Sequence, residues 1–164
     1  MVNEFAVYSE YSNKRISLQP GANVRIFNHV DSEQGESIQL CPDTGAIHLK
    51  QGMYHITASA ASGMDTTTNT GIQAYSLENE TYCQLSYVSK SEQDQPPISI
   101  GSQACHDMMP SLLDTCLRVE DNTSVVLEYL IDPQGSESQP ILEGDSGLCV
   151  FSRISILKMA DVAT

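Results

Sequence analysis

The tightest constraint on this chain is the spacing of its apolar residues, which recur two apart rather than three or four apart. From Gly52 to Ser59, Tyr54, Ile56 and Ala58 alternate with Met53, His55 and Thr57. Gly71–Leu77 sets Ile72 and Ala74 against Gln73 and Tyr75, and Thr81–Ser89 sets Cys83, Leu85 and Tyr87 against Gln84 and Ser86. The pattern returns in Ser111–Val119 (Leu113, Thr115, Leu117, Val119), in Ser124–Ile131 (Val125, Leu127, Tyr129, Ile131) and in Cys149–Leu157 (Ile154, Ile156). Successive side chains of a strand point to opposite faces, so each segment reads as a strand with one face in a core. Weaker strands fit Phe5–Tyr11, Val24–Asn28, Ser37–Leu40 and Ala46–Leu49. No stretch of ten residues has helical periodicity. The best helical candidate, Asp107–Leu113, contains Pro110, which limits it to a turn.

Turn chemistry separates the strands. In Pro42-Asp43-Thr44-Gly45, proline presets the second turn position and glycine closes the turn. Asp132-Pro133-Gln134-Gly135 is built alike, and Lys50-Gln51-Gly52 reads as a tight hairpin. About ten short strands with turn signals between them predict an all-β sandwich or barrel. At 164 residues, with no linker or internal repeat, the expectation is one domain spanning residues 1–164.

Charge narrows the partners. Eight basic residues face 21 acidic ones, for a net charge of −13, and neither Lys nor Arg occurs between Lys50 and Lys90. Such a surface repels phosphate backbones and anionic lipid, which argues against nucleic-acid binding and membrane insertion. The longest apolar stretch, Val125–Ile131, is interrupted by Glu128 and is far short of the ~20 residues of a membrane-crossing helix. The opening Met-Val-Asn-Glu-Phe has neither the basic start nor the apolar run of a signal peptide. The five cysteines, Cys41, Cys83, Cys105, Cys116 and Cys149, include no C-x-x-C pair, so no zinc ribbon or dithiol redox motif is expected. Their strand-like surroundings favour buried structural thiols.

One stretch is more specific than alternation. Val24-Arg-Ile-Phe-Asn-His-Val30 is followed by Thr44-Gly45-Ala-Ile-His-Leu-Lys-Gln-Gly52-Met-Tyr54-His-Ile-Thr-Ala58. This resembles the opening of the jelly-roll heads of the complement globular-head and tumour-necrosis-factor superfamily. It is closest to the bacterial branch that caps collagen-like spore-surface and phage-fibre proteins. Asn122–Tyr129 resembles the penultimate strand and Ser152–Lys158 the last, so the resemblance covers about residues 22–158. It implies a ten-strand jelly-roll β-sandwich that forms a homotrimer, binds a protein or glycan ligand, carries no cofactor and does no chemistry. It also implies display on a cell, spore or virion surface, or secretion. The pattern departs from the family in having no collagen-like Gly-X-Y stalk, no Trp and more cysteines than the bacterial branch. Gly45 and Gly52 are expected where backbone angles exclude a side chain. For the trimer axis the candidates are Val125, Leu127 and Tyr129, with the sandwich core as their alternative place.

Gly144-Asp145-Ser146-Gly147 copies part of a chymotrypsin-like nucleophile motif, but Leu148 follows where that family has Gly. A serine hydrolase is therefore the weaker alternative to a polar turn before the last strand. Cys105-His106-Asp107 places three reactive groups in a row, yet strand neighbours face opposite ways and adjacency makes no dyad. His48 and His55 flank the Lys50–Gly52 turn and are expected outward from one hairpin. They are too few for a metal site and candidates for a pH-sensitive contact. The Ser62–Thr70 loop carries Asp65, Thr67 and Asn69, oxygen-bearing candidates for a ligand loop without the spacing of a calcium motif. A lectin of the same architecture is the main rival function, with Tyr75, Tyr82 or Tyr87 as the aromatic platform it would need. Assembly alone, as in a capsid or fibre protein, is a further rival.

Overall fold

The computed structural model describes residues 4–12, 16–17, 21–60, 82–88, 95–103, 110–131, 141–142 and 149–162. All their regular structure is strand. The elements are β1 (Glu4–Ser12), β2 (Ile16–Ser17), β3 (Gly21–Val24), β4 (His29–Gln34), β5 (Ile38–Leu40), β6 (Ile47–Leu49), β7 (Gly52–Ala60), β8 (Tyr82–Tyr87), β9 (Ser99–Gln103), β10 (Ser111–Val119), β11 (Thr123–Ile131), β12 (Ile141–Leu142) and β13 (Cys149–Ala160).

Two antiparallel sheets face each other. One runs β10-β7-β13-β1-β4; the other runs β5-β6-β11-β8-β9, with β3 also paired to β11. Strand β8 occupies one edge of β11 along Val125–Leu130, while β6 pairs with its start and β3 with its end. A strand has only two edges, so β6 and β3 lie end to end on the other one, and each layer is five strands wide. This is the expected ten-position jelly-roll sandwich. Strands β2 and β12 form a separate two-residue ribbon.

The period-two segments become the strands they predict. Along β7, Tyr54, Ile56, Ala58 and Ala60 are buried, and the residues between them are half-buried. Leu113, Leu117 and Val119 of β10, Leu127 and Tyr129 of β11, and Ile154 and Ile156 of β13 meet them in one core. With no Trp in the chain, Tyr8, Tyr54, Tyr129 and Phe27 are its largest fully buried side chains. Each adds a large apolar area to the core, and Tyr54 keeps its hydroxyl satisfied by donating to the Lys50 carbonyl at 2.7 Å.

Three local expectations change. The expected strand Val24–Asn28 is instead the connection between β3, which ends at Val24, and β4, which starts at His29; β4 escapes a period-two reading because all six of its residues are exposed on the sheet edge, where charged strands resist unwanted pairing. The Lys50-Gln51 corner makes no hairpin. It passes the chain from one sheet to the other, for β6 pairs with β5 and β11 while β7 pairs with β10 and β13. The two glycines also differ. Gly45 has φ +72°, and a Cβ there would lie 2.3 Å from the Arg25 carbonyl oxygen. Gly52 has no positive φ, and a Cβ there would meet the flexible Lys158 side chain at Cε, 2.7 Å away, and the Ala160 carbonyl oxygen at 3.2 Å. The expected strand Gly71–Leu77 lies outside the described residues.

Candidate functional site

The outer faces of the two layers differ in chemistry. On the five-stranded sheet the pleat turns Met53, His55, Thr57 and Ser59 outward. Their direct partners are Arg118, Cys116, Asp114 and Leu112 on β10. On β13, Leu157, Ser155 and Arg153 pair with His55, Thr57 and Ser59. Strand β1 extends these rows, with Phe5 beside Leu157, Val7 beside Ser155 and Ser9 beside Arg153. Thr57, Ser155, Phe5 and Val7 are thus small or apolar and half-buried within one chain, while His55 and Arg153 bring polar groups into the same rows. Leu157 (39% exposed), Leu112 (59%) and Met159 (42%) still offer apolar area to solvent.

Charged groups interrupt that face on β10, β13 and β4. His55 Nε2 lies 2.7 Å from Asp114 Oδ1. At the β1 side, the Asp31 carboxylate accepts from the Ser9 hydroxyl and from Tyr11 Oη at 3.0 Å, with Arg153 Nη2 3.8 Å away. Partial burial disfavours its charge, but these hydrogen bonds and the positive charges of Arg153 and His29 prevail and hold its pKa below the usual value.

The outer face of the other sheet is mixed: the row Val24–Glu128–Gln84–Ile100 sets two exposed apolar side chains beside two polar ones. Glu128 accepts from Gln84 Nε2 at 2.7 Å and Ser86 Oγ at 2.9 Å. The row Gln39–His48–Ser124 crosses β5, β6 and β11, and His48 Nδ1 shares a hydrogen bond with Ser124 Oγ.

Two polar clusters tie the layers together. Glu10 and Arg25 form a buried bidentate pair, and Ser152 Oγ donates to the same carboxylate at 2.7 Å. At the other end, Glu4 accepts from the backbone N–H groups of Glu36 and Ser37 at 2.7 and 2.8 Å, and from Ser37 Oγ at 2.7 Å. The Ser37 hydroxyl first, then those backbone groups and Lys158, bring the Glu4 pKa down to about 2.

The expected site residues fall as follows. Val125 and Leu127 are wholly buried and Tyr129 is 1% exposed within a single chain. They are core residues with no area left for a neighbouring copy, which corrects their reading as trimer-axis residues. The apolar face of β11 is covered by the facing layer, and exposed apolar area lies instead on β10 and β13 (Leu112, Leu157, Met159) and at Val24, Ile26, Val30, Val88 and Ile100. His48 and His55 sit on opposite outer faces because the corner between them changes sheets, so they make no joint site. Asp65, Thr67 and Asn69 lie outside the described residues, as do Gly144-Asp145-Ser146-Gly147, Cys105-His106-Asp107 and Tyr75. Tyr82 and Tyr87 are half-buried on β8.

Cys41, Cys83 and Cys116 are free thiols. The Thr44 hydroxyl and neighbouring backbone N–H groups lower the Cys41 pKa, whereas burial raises that of Cys83. Among the described residues no cluster of three or more His, Cys, Asp or Glu residues could hold a metal ion.

No protein-family model and no curated protein matches the chain. Among solved structures, the fold is similar to that of murine APRIL, with a TM-score of 0.52, 5% sequence identity, and coverage of 96% of this chain and 100% of that one. It is also similar to the Eiger TNF of S. frugiperda, with a TM-score of 0.53, 9% identity, and coverage of 99% and 95%. The fold is therefore the tumour-necrosis-factor-like jelly roll.

Proposed function

We propose that this chain is a non-enzymatic recognition head that assembles as a homotrimer through the outer face of its five-stranded sheet. The observation that carries this reading is that face. Phe5, Val7 and Leu157 adjoin Thr57, Ser155 and Ser59 in a surface of small and apolar groups, on a fold whose core is already complete without them. Covering Phe5, Val7 and Leu157 removes apolar area from water, while Asp114, Arg118 and Arg153 on the same face keep their hydration at the rim of such a contact. Similarity in fold to two TNF proteins supports the trimeric state as the form of that assembly. The Thr44–Ala58 motif supports a place near the bacterial collagen-associated branch.

Light scattering on the purified chain tests the reading. The expected mass is three times 17.9 kDa, and Leu157→Arg is expected to reduce it to one chain while the far-ultraviolet strand signal is retained. A wild-type monomer at high concentration overturns the proposal.

A further inference from the structure

On the layer that holds β5, β6 and β11, three chain segments enclose a groove of about 280 Å³. We infer that this groove, formed by Gln39, His48, Asn122, Thr123 and Ser124 with Lys50 at its rim, binds a neutral polyhydroxylated ring of monosaccharide size. The inference names a ligand class for the recognition head proposed above and rests on that reading.

The volume sets the first limit. It falls at the lower end of small-molecule sites, so one small ring fits and a larger ligand would project into solvent. Hydrogen-bonding character sets the second. The lining sets amide, imidazole and hydroxyl groups beside the oppositely charged Glu36 and Lys50 and the apolar Leu49, and together these offer both donors and acceptors. A sugar hydroxyl both donates and accepts, so a ring of hydroxyls matches such a lining where a purely accepting anion does not.

Charge sets the third limit. Lys50 Nζ lies 3.8 Å from Glu36 Oε2, so the one cationic side chain of the rim is offset by a carboxylate. An inorganic anion gains little here.

Several hydrogen bonds hold the walls in place. Glu4 anchors the backbone of Glu36 and Ser37. Lys50 N–H donates to the Ser37 carbonyl at 2.9 Å, and its own carbonyl accepts from Tyr54. Asn122 Oδ1 accepts from Gln51 N–H at 3.2 Å, which leaves its amide NH₂ as a donor. The hydrogen bond with Ser124 engages His48 Nδ1, so Nε2 is the ring nitrogen left for a ligand. Walls fixed in this way spare the ligand the entropy of ordering them. The row Gln39–His48–Ser124 lies on the outer face of the other sheet, not on the proposed assembly face.

The test is a titration of the ¹⁵N-labelled chain with glucose, galactose, mannose, N-acetylglucosamine and fucose, and separately with inorganic phosphate, read by amide chemical shifts. At least one sugar is expected to shift residues 36–39, 48–51 and 122–124 saturably, with Kd on the order of 1 mM for so small a contact. Asn122→Ala and Gln39→Ala are each expected to weaken binding about tenfold, the loss of a well-made hydrogen bond, with amide dispersion preserved. Saturation by none of the sugars overturns the inference, as does a response to phosphate alone or binding indifferent to both substitutions. Light scattering on the same samples separates the two proposals: a trimer that binds no sugar overturns only the groove, and a monomer that binds one overturns only the assembly.

Discussion

Glu10 of β1 and Arg25, which follows β3, meet as a buried bidentate pair that joins the two layers. Arg25 Nε donates to Glu10 Oε2 at 2.9 Å, Nη2 donates to Oε1, and both residues are about 5% exposed or less. Arg25 is held on its own side by its N–H donating to the Leu127 carbonyl at 2.8 Å. The carboxylate on the other side also accepts from Ser152. A buried charge of either sign is tolerated only with such a full set of partners.

Removing one member strands the other. Arg25→Met is expected to cost about 3–5 kcal/mol in urea unfolding, because Glu10 is left buried without its counter-charge. The double variant Arg25→Met with Glu10→Gln is expected to recover part of that loss. A double variant worse than the sum of the single changes would argue against the clasp.

The Glu4 cluster makes stability depend on pH. Its pKa is depressed from 4.5 to about 2 by Ser37, the Glu36 and Ser37 backbone and Lys158. The stabilisation is therefore fully present above pH 4.5 and is lost as pH falls through about 2. Glu4→Gln is expected to lower stability at pH 7 by about 1.5–3 kcal/mol, the range for hydrogen bonds to a charged group. That difference should shrink as both proteins are taken toward pH 2.

Core and assembly face should separate cleanly under substitution. Leu127→Ala removes a wholly buried side chain and is expected to cost about 2–5 kcal/mol without changing the mass of the folded protein. Leu157→Arg should change the mass with little change in the unfolding of the single chain. Loss of assembly on Leu127→Ala in a fully folded sample would return β11 to the trimer axis.

Gly45→Ala is expected to destabilise the chain by about 1 kcal/mol or more, since φ is +72° and the Arg25 carbonyl occupies the place of the new methyl. Thermal unfolding measures it, and a gain in stability on that change would count against the close approach of these two segments.

Thiol reactivity should follow burial and hydrogen bonding. Cys41, with its lowered pKa and partial exposure, is expected to alkylate readily with iodoacetamide near neutral pH. Cys83, buried and with a raised pKa, should react only after unfolding. Peptide mapping of the labelled chain gives the order directly.

Alternation and turn chemistry alone determined that this chain is built of strands. They also settled which side of β7, β10 and β13 is buried and where Gly45 closes a turn, because a period-two pattern records one covered face and needs no knowledge of the partner. Tertiary structure decided the neighbours. It put β6 and β7 in different layers across two residues, sent His48 and His55 to opposite surfaces, and sealed Val125, Leu127 and Tyr129 in the core. It also brought Glu10 to Arg25, and residues 36–39, 48–50 and 122–124 to one groove. Periodicity states that a face is covered but not what covers it. Every one of these contacts depends on pairing between segments far apart in the chain.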